Sequence, residues 1–208
     1  MSATLERPKV PAEYRGLARV FRDKVFAVDA KMNRALPPII RPLLTRVRRH
    51  PRLRDEQIAT AVKLYRRDVP AAFRIGTIEV HPDRARFSIA ETRLTASWMN
   101  NTEWDSNAEE PGIAVARCVI ELRDGRLSGV WIPYALVSAH ALGRWFERTG
   151  WRDHAALVHD LAVLAHSDDE GERVATPHGG HWRGEMLMMQ GTDKQTARAR
   201  SVRTWVGD

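Results

Sequence analysis

Residues 113–137 read IAVARCVIELRDGRLSGVWIPYALV and are followed at once by SAHALGRWFERT (138–149). Together these stretches decide the fold class. Ile113–Leu122 is an apolar, β-branched run, and Asp124-Gly125 is a two-residue hairpin signal. Leu127–Val137 is the returning strand. Ser138 then offers a hydroxyl to an orphan amide, which predicts a helix over 139–149. A strand pair that runs directly into a capped helix implies helices packed on an antiparallel sheet.

The same reading extends in both directions. Upstream, Ala72–Val80 and Arg84–Thr95 read as strands joined by a turn at His81-Pro82-Asp83, with Phe87 and Ile89 on one face. Residues 99–112 are polar and form a long loop. Downstream, 153–166 reads as a second helix and 167–181 as a loop. Trp182–Gln190 and Thr196–Val206 form a last hairpin around Gly191-Thr192-Asp193. The expected fold class is therefore α+β, a mainly antiparallel sheet with packed helices, preceded by a basic helical N-terminal extension.

That extension covers residues 1–70, and the sheet domain covers 71–208. Residues 1–12 are a loose arm, and 13–35 is a helix that Pro37-Pro38 is expected to end. Residues 39–49 are short, apolar and basic. Over 55–67, Ile58, Ala61, Val62 and Tyr65 recur at helical spacing. Pro70 marks the boundary.

The 208 residues carry 33 Lys and Arg against 26 Asp and Glu, a formal net charge of +7. The excess is concentrated, since residues 1–70 hold seventeen Lys and Arg against seven acidic residues. Such a field gathers polyanions, and phosphate contacts supply affinity that is independent of sequence. Arg41, Arg46, Arg48, Arg49, Arg52, Arg54, Arg66 and Arg67 are the candidate nucleic-acid-binding residues. A solvated helical face would carry the same charges. One cysteine, Cys118, excludes an internal disulfide framework and a cysteine-ligated zinc site. It sits in an apolar strand and reads as an inert buried thiol. No apolar run approaches a membrane span, and the N-terminus has no signal-peptide core. A cytoplasmic protein with no membrane partner is expected.

The densest chemistry lies in Ser138–Arg148. His140 falls in the first helical turn, where the positive helix end favours a neutral, proton-accepting imidazole. Arg144 and Arg148 follow at steps of four and share its face. One helix face thus offers a base and two cations. This set suits phosphodiester chemistry, in which a base takes a proton from a ribose 2′-hydroxyl and arginines stabilise charge on phosphorus. A polar helix face with Glu147 pairing an arginine would account for the same residues without chemistry.

The string SxHAxxRxxxR at Ser138–Arg148 resembles the His/Arg helix of the barnase/colicin/RelE-like endoribonuclease toxin superfamily. The match spans eleven residues. That family places its helices before its strands, whereas at least four strands precede this one. The resemblance implies a small antiparallel sheet against the helix, with polar groups of the last strands completing the site. On this basis His140 would be the base, Arg144, Arg148 and Arg203 would contact phosphate, and Thr204 would be a supporting hydroxyl. No cofactor is implied.

Other constellations are thinner. His178 and His181, in a Pro-His-Gly-Gly-His loop, are two candidate metal ligands that need a third from His140 or Asp168. His154, His159 and His166 read as ordinary helix residues. Trp98 and Trp104 flank a loop with Glu103, Asp105, Glu109 and Glu110, which with Glu91 could serve a metal-dependent nuclease. There is no phosphate-binding loop, dinucleotide fingerprint or nucleophile-elbow serine. Two functions lead over a third class, a small-molecule enzyme using the concave face of the sheet, for which nothing in the sequence names a substrate. One is a metal-independent endoribonuclease, and the other is a non-catalytic nucleic-acid-binding or assembly protein. The partner is nucleic acid, RNA in preference, with a protein partner or inhibitor as a further expectation.

Overall fold

The structure is a computed structural model. It describes residues 9–49, 73–82, 86–97, 112–123, 126–167, 172–190 and 196–207, with isolated helical positions between 56 and 67. The fold is α+β, as expected. Helix α1 (Ala12–Arg49) precedes four strands, β1 (Glu79–Pro82), β2 (Arg86–Ala96), β3 (Ile113–Arg123) and β4 (Arg126–Val137). Helices α2 (Ala139–Thr149) and α3 (His154–Ala162) follow, then a 3-10 turn at Val163–Ala165. Strands β5 (Arg173–Ala175), β6 (His181–Gln190) and β7 (Thr196–Val206) complete one seven-stranded sheet in the order β1-β2-β3-β4-β7-β6-β5.

Every pairing is antiparallel except that of β4 with β7, which is parallel over Ala135–Val137 and Arg200–Val202. Two antiparallel sets are therefore joined along one short parallel seam. The connection through α2, α3 and the β5–β6 hairpin carries the chain back to start β7 in the same direction as β4. A parallel pair requires such a crossover.

The core lies between the helices and the sheet. Leu94, Ile113, Val115, Ala135, Val137, Trp182, Val202 and Trp205 meet Leu142, Trp145 and Phe146 of α2 and Leu157 and Leu161 of α3. Helix α1 adds Ala18, Phe21 and Val25, spaced for one helix face. Thus the helical segment N-terminal to Pro70 supplies part of the sheet domain's own core, while Pro70 itself lies outside the described residues. On the turn after Val25, Asp29 meets Arg93 of β2 at 3.0 Å, with both side chains almost fully buried. Burial pushes the Asp29 carboxyl above its usual value, and the neighbouring Arg93 opposes that rise.

Four local expectations are corrected. The strand expected over Ala72–Val80 is confined to Glu79–Pro82, because pairing with Phe87–Ala90 draws His81 and Pro82 of the expected turn into the sheet. Pro37 and Pro38 do not end the first helix, because α1 runs to Arg49. A proline keeps a helical φ and removes one intrahelical hydrogen bond, a loss a long helix survives. The segment 167–181 is not all loop, since Arg173–Ala175 pairs with His181–Arg183. The second helix stops at Ala162 and tightens into the 3-10 turn.

Candidate active site at the junction of α2 and β7

Helix α2 begins where β4 ends. Ser138 Oγ accepts from the Ala141 amide at 3.1 Å, and the Ser138 amide donates to the Val202 carbonyl of β7 at 3.2 Å. The cap thus ties the first turn of α2 to the strand that carries Arg203. At the other end, Gly150 takes a left-handed conformation and its amide donates to Phe146. Trp145 and Phe146 face the core, so the face bearing His140, Arg144 and Arg148 turns towards β6 and β7.

These three residues line a cleft of about 450 Å3 with Arg183, Gly184 and Glu185 of β6, Arg203 and Thr204 of β7, and Glu172. All five residues expected to act on phosphate, His140, Arg144, Arg148, Arg203 and Thr204, meet in this one place. Adjacent strand residues ordinarily face opposite sides of a sheet. Arg203 and Thr204 share the cleft because the ladder is irregular. Arg183 pairs with Thr204, whereas Gly184 pairs with Val202, which leaves Arg203 as the extra residue of a bulge. Gly184 permits this approach, since a Cβ there would lie 2.1 Å from the Ser201 carbonyl oxygen.

Carboxylates hold most of the arginines. Arg144 Nη1 donates to Glu147 Oε2 at 2.6 Å, and its side chain is only 8% exposed. Arg203 pairs with Glu185, and Arg183 meets Glu172 at 3.4 Å. Arg148 is exposed and makes no ion pair among the described residues. Among the lining residues, four arginines stand against two glutamates, Glu172 and Glu185, a surplus of two positive charges. Buried Arg144 is fixed in place, whereas Arg148 is presented to solvent. The Thr204 hydroxyl donates to the Trp205 carbonyl at 3.4 Å.

Arg183, Glu185 and Glu172 were not among the sequence candidates. Gly184 within an otherwise regular strand pattern was the one signal for them, because such a glycine marks a bulge or a close backbone approach. Of the basic candidates, Arg41, Arg46, Arg48 and Arg49 ride on the last turns of α1, and Arg67 is helical and exposed. Arg52, Arg54 and Arg66 lie outside the described residues, as do Asp168, Trp98, Trp104 and the acidic positions of their loop. Glu91 is buried beside Arg74 at 3.7 Å and does not reach the cleft.

The glycine-rich turn is ordered by other contacts. Gly179 and Gly180 both take positive φ, and a Cβ on Gly180 would lie 2.5 Å from the Trp205 ring. Thr176 Oγ1 donates to the Gly179 carbonyl at 2.7 Å. His178 Nδ1 lies 2.7 Å from Asp160 Oδ1. The candidate set of His178 and His181 with His140 does not form a metal site among the described residues, and Asp168, the other candidate third ligand, lies outside them. Among the described residues no group of three or more His, Cys, Asp and Glu side chains could hold a metal ion.

Comparison with known proteins gives no significant match to a family model, to a curated protein or to a solved structure. Among the described residues no helix is long and apolar enough to cross a membrane.

Proposed function

We propose that the protein acts on nucleic acid, RNA in preference, and that the cleft between α2, β6 and β7 receives a phosphodiester. The observation that supports this reading is the meeting of His140 with Arg144, Arg148, Arg183 and Arg203 around one open cleft. A planar guanidinium donates to phosphate oxygens in pairs, and arginines held in advance by carboxylates need little reordering when an anion arrives. His140 takes the proton of a ribose 2′-hydroxyl. The 2′-oxygen bonds to phosphorus, the bond from phosphorus to the 5′-oxygen breaks, and that oxygen takes a proton from water as it leaves, while His140 returns its proton to water. The products are a 2′,3′-cyclic phosphate and a 5′-hydroxyl. The basic end of α1 gathers the polyanion, and the setting we assign is the cytoplasm.

Binding without cleavage is the second reading. It is favoured by the carboxylates that already occupy Arg144, Arg183 and Arg203. One experiment separates the two. Labelled single-stranded RNA and DNA are incubated with the wild type and His140→Ala, with EDTA or with added divalent metal. RNA cleavage in EDTA that yields cyclic-phosphate ends and is lost in His140→Ala supports the nuclease. Cleavage that survives His140→Ala overturns the assigned base. Salt-dependent binding with no cleavage selects the binding protein, and the absence of both refutes the cleft as a nucleic-acid site.

A further inference from the structure

Outside the cleft, Trp145 of α2 joins a second cluster. Asp160 of α3 is fully buried, an expensive place for a carboxylate unless its oxygens are satisfied. They are satisfied by an unusual set. Oδ2 accepts from Trp145 Nε1 at 2.7 Å, and Oδ1 accepts from the His178 amide at 3.3 Å. Trp182 Nε1 donates to the Asp160 carbonyl at 2.7 Å, which locks the backbone as well. Trp145 Nε1 and the His178 amide only donate, so the carboxylate is held as an acceptor. The third contact, His178 Nδ1 at 2.7 Å from Oδ1, therefore carries its proton on the histidine. In the neutral imidazole this leaves Nε2 as the nitrogen with the free lone pair.

The ring of His178 is also fixed in orientation. Trp151 packs edge-on against it at 4.6 Å between ring centres, and His159 lies at 5.3 Å with the planes at 72°. His159 is exposed, and the His178 side chain is 23% exposed, so water reaches the pair. Two imidazoles binding one zinc at about 2.05 Å with a tetrahedral angle between them have ring centres about 5.2 Å apart. The observed separation fits that arrangement. Histidines that bind metals usually donate their second nitrogen to a carboxylate, which sets the tautomer and raises the basicity of the ligand. Asp160 already stands in that position behind His178.

The geometry points to a two-histidine site, His159 and His178, for a borderline divalent cation such as zinc, with Asp160 as the positioning carboxylate. Water completes the coordination, so the site keeps open positions. It differs from the pairing expected within the glycine loop, because the second ligand comes from α3 and not from His181. It is independent of what the cleft binds.

Isothermal titration of the full chain with zinc chloride, in a buffer that does not chelate, tests the site. One zinc per chain is expected, lost in both His159→Ala and His178→Ala. His159 is exposed, so His159→Ala leaves the fold intact, and circular dichroism checks each variant. Asp160→Asn weakens zinc binding by about 10- to 100-fold, as for other second-sphere carboxylates. With copper(II), electron paramagnetic resonance of the wild type shows two coordinating imidazole nitrogens, and each single variant shows one fewer. Absence of saturable zinc binding by the wild type overturns the proposal. Binding that survives either histidine substitution overturns it as well.

Discussion

Replacing Asp29 by Ala tests whether α1 is built into the sheet domain. The pair Asp29–Arg93 is 3.0 Å apart, and the side chains are 3% and 6% exposed. Removing one partner of a buried ion pair strands the other charge, at about 3–5 kcal/mol. Glu91 is buried two residues along β2, and Arg93 keeps other interactions, so the lower end, about 3 kcal/mol, is expected. In a chain of this size that lowers Tm by about 6–12 °C. Urea unfolding followed by circular dichroism and by tryptophan fluorescence gives the free energy directly. The double variant Asp29→Leu/Arg93→Met removes both charges and recovers most of the loss, because an apolar replacement of a buried pair is often neutral. A cost below about 1 kcal/mol for Asp29→Ala would refute the seating of α1 on β2, since an exposed pair contributes no more than that.

Three further outcomes follow from the same contacts. Gly184→Val drives β6 away from Ser201 and opens the bulge, so nucleic-acid binding falls while the far-UV spectrum stays close to the wild type; unchanged binding would show that the bulge does not shape the cleft. Arg148→Ala removes the exposed arginine of the cleft and lowers the salt slope of single-stranded RNA binding by about 0.7, read from titrations at several salt concentrations. His154 is partly buried beside Lys24, and burial, then Lys24, lowers its pKa below the ordinary value of 6.5. The unfolded chain therefore binds the proton more readily, and this site's contribution to stability is complete above about pH 6.5 and declines as pH falls towards the folded value. His154→Gln flattens that part of the urea-midpoint profile, and an unchanged profile contradicts the assignment.

The elements legible in the sequence are those whose causes are local. The β3–β4 hairpin follows from alternation around Asp124-Gly125, and its strands lie within a residue of the expected bounds. Helix α2 matches its expected span because Ser138 and Gly150 cap it. The i, i+4, i+8 spacing placed His140, Arg144 and Arg148 on one face without reference to the rest of the chain. What escaped depends on distant partners. Three residues of β5 carry no pattern of their own and become a strand only beside β6. The prolines of α1 argue locally for a break, yet the helix continues beyond them.

The candidate site divides in the same way. The sequence by itself determined the chemistry of one helix face and the α+β class, because periodicity and capping act within a few residues. The resemblance pointed to Arg203 and Thr204, but only the tertiary structure brings them beside that face, through the parallel seam of β4 with β7 and the bulge at Gly184. Tertiary structure also decided that Asp160 and His178, eighteen residues apart in sequence, form a hydrogen-bonded pair. Neither outcome has a sequence period, because both are set by which surfaces the core brings together.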